Sequence, residues 1–176
     1  MVARTRHGFR HGCAVRRNDS VGDMLCYTPY IQPMFDDLYN TDILTLSASL
    51  KNERLDAPDG TARKVSKLCG SWLEIDVKLD GDVVSEAALR VQACALGQSS
   101  AAILQQGIIG ASLDEITEAR DALREMLKGD GEAANRRFEK LTLLKGVKAY
   151  PARHASTMLA FEAAVEAVEM AMRNQK

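Results

Sequence analysis

From Leu73 to Leu79 the chain alternates strictly, with Leu73, Ile75, Val77 and Leu79 set against Trp72, Glu74, Asp76 and Lys78. Successive side chains of a strand point to opposite faces, so this pattern predicts a half-buried β-strand. Asp80-Gly81 interrupts it with one of the residue pairs best suited to a tight hairpin turn. Beyond the turn, Val83 to Val91 places Ala87, Leu89 and Val91 on one face and Glu86, Ala88 and Arg90 on the other, so it returns antiparallel to the first strand. Arg63 to Leu68 reads as a short edge strand leading into the hairpin. The polar positions Glu74, Asp76 and Lys78 read as the solvated side of the sheet.

The spacing changes on either side of the hairpin. Leu38, Ile43, Leu44, Leu46 and Leu50 predict one helix from about Phe35 to Leu50, closed by the turn residues Ala57-Pro58-Asp59-Gly60. After the hairpin, Leu96 to Ile109 is apolar and rich in small residues, as expected of a well-buried helix. Ser112-Leu113-Asp114-Glu115 is a capping box, with Ile116, Ala119, Leu123 and Met126 on one face and Gly129 at the end. Asn135 to Leu144 predicts a further short helix. Pro151 stands before Met158, Phe161, Val165, Val168 and Met172, the stripe of a long helix running nearly to the C-terminus. A helix, a small antiparallel sheet of about three strands and then a helical half make an α+β fold, with the helices on one face of the sheet.

Composition narrows the function classes. With 176 residues, 46% of them hydrophobic and 27% charged, the chain can bury one core and is most simply one domain, 35–176. A net charge of −1 lacks the basic footprint of a nucleic-acid binder. No apolar run approaches the roughly 20 residues that span a bilayer. Residues 1–34 read as a basic, disordered N-terminal tail, because 1–23 hold Arg4, Arg6, Arg10, Arg16 and Arg17 against only Asp19 and Asp23. His7, His11 and Cys13 lie in that tail, where a metal site would have to overcome ordering entropy. Four cysteines with no Cys-x-x-Cys pair do not form a disulfide framework, which places the protein in a reducing cytoplasm.

The candidate chemistry lies at the ends of the hairpin. Cys69 precedes the first strand and Cys94 follows the second, and their midpoint falls between Gly81 and Asp82, at the turn. An antiparallel pairing then brings both thiols to the same end of the sheet. Taken singly, each cysteine fits a small buried hydrophobe. Together they form the soft donor pair of a metal or sulfur-handling site. Cys94 is expected to be the more thiolate-like, since it opens a helix whose macrodipole favours the anion. Arg153 reads as a surface cation, although beside two thiolates it would help keep them ionised.

These motifs resemble, in order, those of the NifU-like and IscU-like iron–sulfur cluster assembly scaffolds, whose fold is shared with the SufE sulfur acceptors. Leu68-Cys69-Gly70-Ser71 stands where such scaffolds carry Cys-Gly-Asp. Ala93-Cys94-Ala95-Leu96-Gly97-Gln98-Ser99-Ser100 is similar to their Gly-Cys-Ala-Ile-Ser-x-Ala-Ser, and Lys51-Asn52-Glu53-Arg54-Leu55 loosely resembles the basic stretch before their first cysteine. Pro151-Ala152-Arg153-His154-Ala155-Ser156-Thr157-Met158-Leu159 resembles Pro-x-Arg-x-x-Cys-x-x-Leu, with serine in the cysteine position.

The resemblance implies a scaffold or carrier that is not an enzyme. It would bind iron and sulfide, or a persulfide, on Cys69 and Cys94, hold a labile [2Fe-2S] cluster or iron, take sulfur from a cysteine desulfurase and deliver to apo iron–sulfur proteins. Ser71 and Ser156 would complete the metal-ligand set, but a neutral hydroxyl is a poor ligand for zinc or a cluster. His154 is the alternative third ligand if Ala152 to Ser156 is loop; on a helix it points about 160° from Ser156. A cluster-bridged homodimer would supply the missing thiolates by symmetry. The alternative reading is a degenerate member acting as a zinc-binding or partner-regulating module.

Overall fold

The computed structural model describes residues 38–129, 131 and 136–175. The expected tail 1–34, with His7, His11, Cys13 and Cys26, lies outside the described residues, as does the expected helix start at Phe35. The order of elements is helix α1 (Thr41–Ser49), strands β1 (Gly60–Val65), β2 (Trp72–Asp80) and β3 (Val83–Gln92), helices α2 (Ala95–Gly107) and α3 (Leu113–Lys128), a 3-10 helix (Arg136–Ala149) and helix α4 (Pro151–Asn174). Helix α1 starts later than its apolar spacing suggests, because the Asn40 side chain accepts the backbone N–H of Ile43 and caps it there. No helix among the described residues is long and apolar enough to cross a membrane.

The sheet is antiparallel throughout, in the order β1-β2-β3. The edge strand begins at Gly60 and ends at Val65, earlier than the sequence suggests, and Ser66 to Ser71 then form the turn into β2. Leu73, Ile75 and Val77 are buried as the alternation requires. The hairpin turns at Gly81, whose φ of 60° lies in the left-handed region. The pairing slips between Lys78 and Leu79, so that Lys78 faces Glu86 while Leu79 faces Val84. Ser85 is the extra residue of this bulge, which turns Val84 to the core although it lies an odd number of positions from Leu89.

Asp76 departs from the reading of a solvated face. It is buried, and its carboxylate accepts hydrogen bonds from Arg90 (2.8 Å), the Thr61 hydroxyl (2.8 Å) and the backbone N–H of Leu55 (3.3 Å). Arg90 also pairs with Glu74. Residues 52–55 are bonded to β3 through Asn52 and Glu53 and to Asp76 through Leu55, so the period-2 pattern correctly identified the polar face but not its solvation.

Helix α4 is the central element, packing against β1, β2, α2, α3 and the 3-10 helix. Its buried set is wider than the expected stripe: Ser156, Thr157, Leu159, Ala160, Ala163, Ala164, Ala167 and Ala171 are buried beside Met158, Phe161, Val165 and Val168. Small residues let neighbours approach closely. A Cβ on Gly60 would lie 2.2 Å from the Ala167 carbonyl oxygen, so β1 rests on the backbone of α4. The short helix expected from Asn135 to Leu144 is a 3-10 helix over 136–149, in which Phe138, Leu141, Leu144 and Val147 recur every third residue, as the 3-10 repeat requires. Phe138 meets Phe161 edge-on at 5.3 Å between centroids. The capping box at Ser112 and Glu115 forms as expected.

Two outcomes follow from this packing. Gly60→Ala should destabilise the fold by about 2 kcal/mol or more, since overpacking against backbone has no flexible side chain to yield, read as a lower urea midpoint at unchanged m-value. Burial alone would raise the Asp76 pKa, but the bonds from Arg90, Thr61 and Leu55 hold it below the usual carboxylate value. Its stabilising contribution is therefore complete above the unfolded-state pKa and lost as pH falls through the folded one. The stability gap between the wild type and Asp76→Asn should be widest near neutrality and shrink steadily in acid denaturation series.

Candidate functional site

The β1–β2 turn presents the first thiol. Ser66 N–H donates to the Ser71 carbonyl (2.7 Å) and Gly70 N–H to the Ser66 carbonyl (2.9 Å), closing a tight loop in which Gly70 takes φ 69°. Cys69 is exposed on this loop, with its Sγ 3.3 Å from the Ser66 hydroxyl and 3.1 Å from the Ser71 hydroxyl. Both serines are themselves buried. A hydroxyl rotates to donate when its neighbour becomes an anion, so the pair favours the thiolate.

Cys94 is the N-cap residue of α2 and is half-buried. Its side chain makes no cap hydrogen bond and lies instead 3.5 Å from the Ser156 hydroxyl, which donates to the Arg153 carbonyl. Gly97 makes this approach possible, since a Cβ there would lie 3.0 Å from the Ser156 carbonyl oxygen and 2.8 Å from the Ala93 Cβ. The N-termini of α2 and α4 therefore meet at the second thiol.

An open cleft of about 210 Å³ joins the two. It is lined by Cys69, Gly70, Ser71, Gln92, Ala93, Cys94 and Arg153. Thus Cys69, Ser71 and Cys94 come together at one end of the sheet, with Ser156 behind Cys94. His154 does not line the cleft. The helix is already formed at Pro151, and His154 Nε2 lies 3.1 Å from the Val147 carbonyl and 3.3 Å from that of Lys148. Arg153, read from the sequence as a surface cation, is a cleft residue.

The surroundings of Cys69 favour its thiolate, with no helix terminus involved. The Ser66 hydroxyl, then the Ser71 hydroxyl and backbone N–H, lower the Cys69 thiol to about 7 against a small opposing effect of burial, and the Arg153 charge adds to them. Ser66 was not recognised in the sequence. Its signal is local: a serine three positions before Cys-Gly in a strand-to-strand turn can fold back onto the thiol.

The donor set constrains what the cleft can hold. Among the described residues no group of three or more His, Cys, Asp and Glu side chains could hold a metal ion. Two thiols, neutral serine hydroxyls and a guanidinium do not make a four-ligand zinc site, which wants thiolate, imidazole or carboxylate. Nor do the two thiols of this cleft surround a cluster with four thiolates.

A three-stranded antiparallel sheet backed by helices, with paired thiols at its end, places the protein in the class of NifU-like and SufU-like α+β domains. Residues 38–157 match the NifU-like N terminal domain family, and the chain belongs to that family. The crystal structure of the N-terminal part of a NifU-like protein from Brucella abortus is 40% identical, with a TM-score of 0.77 covering 80% of this chain and 98% of that one. The iron–sulfur cluster assembly scaffold protein IscU of Thermotoga maritima is 28% identical over 143 residues, 80% of this chain and 99% of that protein. The zinc-dependent sulfurtransferase SufU of Bacillus subtilis is 26% identical over 95 residues, 54% of this chain and 65% of that protein.

The hydroxyl pair has a direct consequence for reactivity. In a Cys94→Ala background, the iodoacetamide rate at Cys69, followed by peptide mass mapping, should rise with a midpoint near pH 7. Ser66→Ala and Ser71→Ala should each move that midpoint upward, towards the ordinary thiol value.

Proposed function

We propose that this protein is an iron–sulfur cluster assembly scaffold or carrier, which receives sulfur on Cys69 and Cys94, as persulfide or together with iron as a labile [2Fe-2S] cluster, and hands it to apo proteins. The observation that carries the reading is the convergence of two thiols, 25 positions apart in sequence (94 − 69), in one open cleft beside Arg153. The scaffold names borne by relatives of similar length support it. So does the exposed position of Cys69, with Leu68 beside it 77% exposed, because a donor or recipient protein must reach the sulfur directly. The protein binds, protects and transfers its cargo and is not an enzyme that turns over a substrate. Its donor is a cysteine desulfurase, its recipients are apo iron–sulfur proteins, and it works in the cytoplasm.

When the cargo is a cluster, two chains share it. Each supplies Cys69 and Cys94, and a two-fold contact then surrounds one cluster with four thiolates. Anaerobic reconstitution with iron and sulfide should convert monomer to dimer with about one cluster per two chains, read by size-exclusion chromatography with iron and acid-labile sulfide analysis. Cys69→Ser or Cys94→Ser should abolish both cluster and dimer, whereas substituting Cys13 or Cys26 should change neither. A monomer carrying a full cluster would overturn the shared site, and the absence of both cluster and persulfide under all conditions would overturn the carrier reading.

A further inference from the structure

The cleft is furnished for an anion. Around Cys69 stand the hydroxyls of Ser66 and Ser71, both buried and both within 3.3 Å of the sulfur. Arg153 supplies a positive charge to the same cleft, and no carboxylate or imidazole lines it. The second thiol has a hydroxyl neighbour as well, Ser156 at 3.5 Å. A bound cation needs negatively charged or strongly basic donors, and a guanidinium at the rim opposes it. Hydroxyl donors and a guanidinium are what a sulfur anion needs. One relative is named for its dependence on zinc, and the side chains of this cleft do not provide for such dependence.

We infer that this cleft takes up sulfur as a persulfide on Cys69 with no metal ion resident, the outer sulfur lying among Ser66, Ser71 and Arg153. The inference rests on the carrier reading above and specifies the form in which the sulfur arrives. The donor is a sulfane-sulfur compound, either a cysteine persulfide on another protein or an inorganic polysulfide. The Cys69 thiolate attacks its sulfane sulfur, a new S–S bond forms to Cys69 Sγ, and the donor S–S bond breaks. The donor leaves as a thiolate with the electron pair of the broken bond, and the transferred sulfur keeps its oxidation state, so no oxidant or reductant is consumed. Cys94, half-buried against Ser156, is not the point of entry.

The full chain, stripped with a chelator, is exposed to sodium polysulfide with the chelator still present, and sulfur addition at each cysteine is followed by mass mapping, with Cys13 and Cys26 as reference thiols. Bound zinc is measured separately by competition with a chromogenic chelator. The expected result is addition of one sulfur atom at Cys69 faster than at the reference thiols, at a rate that added zinc does not increase. That preference should be lost in Ser66→Ala and weakened in Arg153→Gln, while far-ultraviolet circular dichroism is unchanged. Addition at Cys69 only after zinc is restored, or one zinc per chain that resists the competitor, would overturn the metal-free inference and leave the carrier reading standing. No preferential addition at Cys69 with or without zinc would also overturn the inference. If the same chains then form no cluster on reconstitution, the carrier reading falls with it.

Discussion

The backbone of α4 is approached at both ends by residues that have no side chain to interpose, and the site depends on that contact. Gly60 brings β1 onto Ala167, and Gly97 brings the start of α2 onto Ser156. The first contact fixes the sheet, and with it the turn that presents Cys69. The second fixes Cys94 beside Ser156, three residues beyond the Arg153 that enters the cleft. Close-packed interiors transmit displacements of a few tenths of an ångström. The spacing of the two thiols is therefore set by helix packing, since the loops that carry them are short and follow the elements they join.

The hydroxyls around this cleft are those of Ser66 and Ser71 at Cys69 and Ser156 at Cys94, and they decide the sign of what the cleft favours. A carboxylate or a third thiolate would add negative charge and draw in a cation. A hydroxyl adds none, yet it donates readily to sulfur once the thiol ionises. With Arg153 at the rim, the sum of these groups lowers the Cys69 thiol to about 7, so that a substantial share of it is thiolate at neutral pH. The buried carboxylate of the sheet, Asp76, is satisfied by Arg90 and Thr61 and serves the fold.

Most of the fold was legible in the sequence where one period dominated. The alternation from Leu73 to Leu79, the Asp80-Gly81 turn, the capping box at Ser112 and Pro151 at the start of the last helix each acts within a few residues, and each formed. The errors lie where a distant segment intervened. Asp76 reads as solvated until the chain near Leu55 and Thr61 covers it.

For the site, sequence alone determined that Cys69 and Cys94 would meet, because a hairpin reflects positions about its turn and these two are symmetric about Gly81 and Asp82. The resemblance to the scaffold motifs implied that Ser71 and Ser156 would stand near them, and both do. Only the tertiary structure decided which side chains face the sulfur. Ser66 folds back on Cys69 through the turn, Arg153 enters the cleft, and His154 turns to the carbonyls of Val147 and Lys148. The physical reason is directional. Position along a strand or helix is set by local periodicity, whereas the group a side chain meets is set by the angle at which separate elements pack, and that angle depends on the whole core.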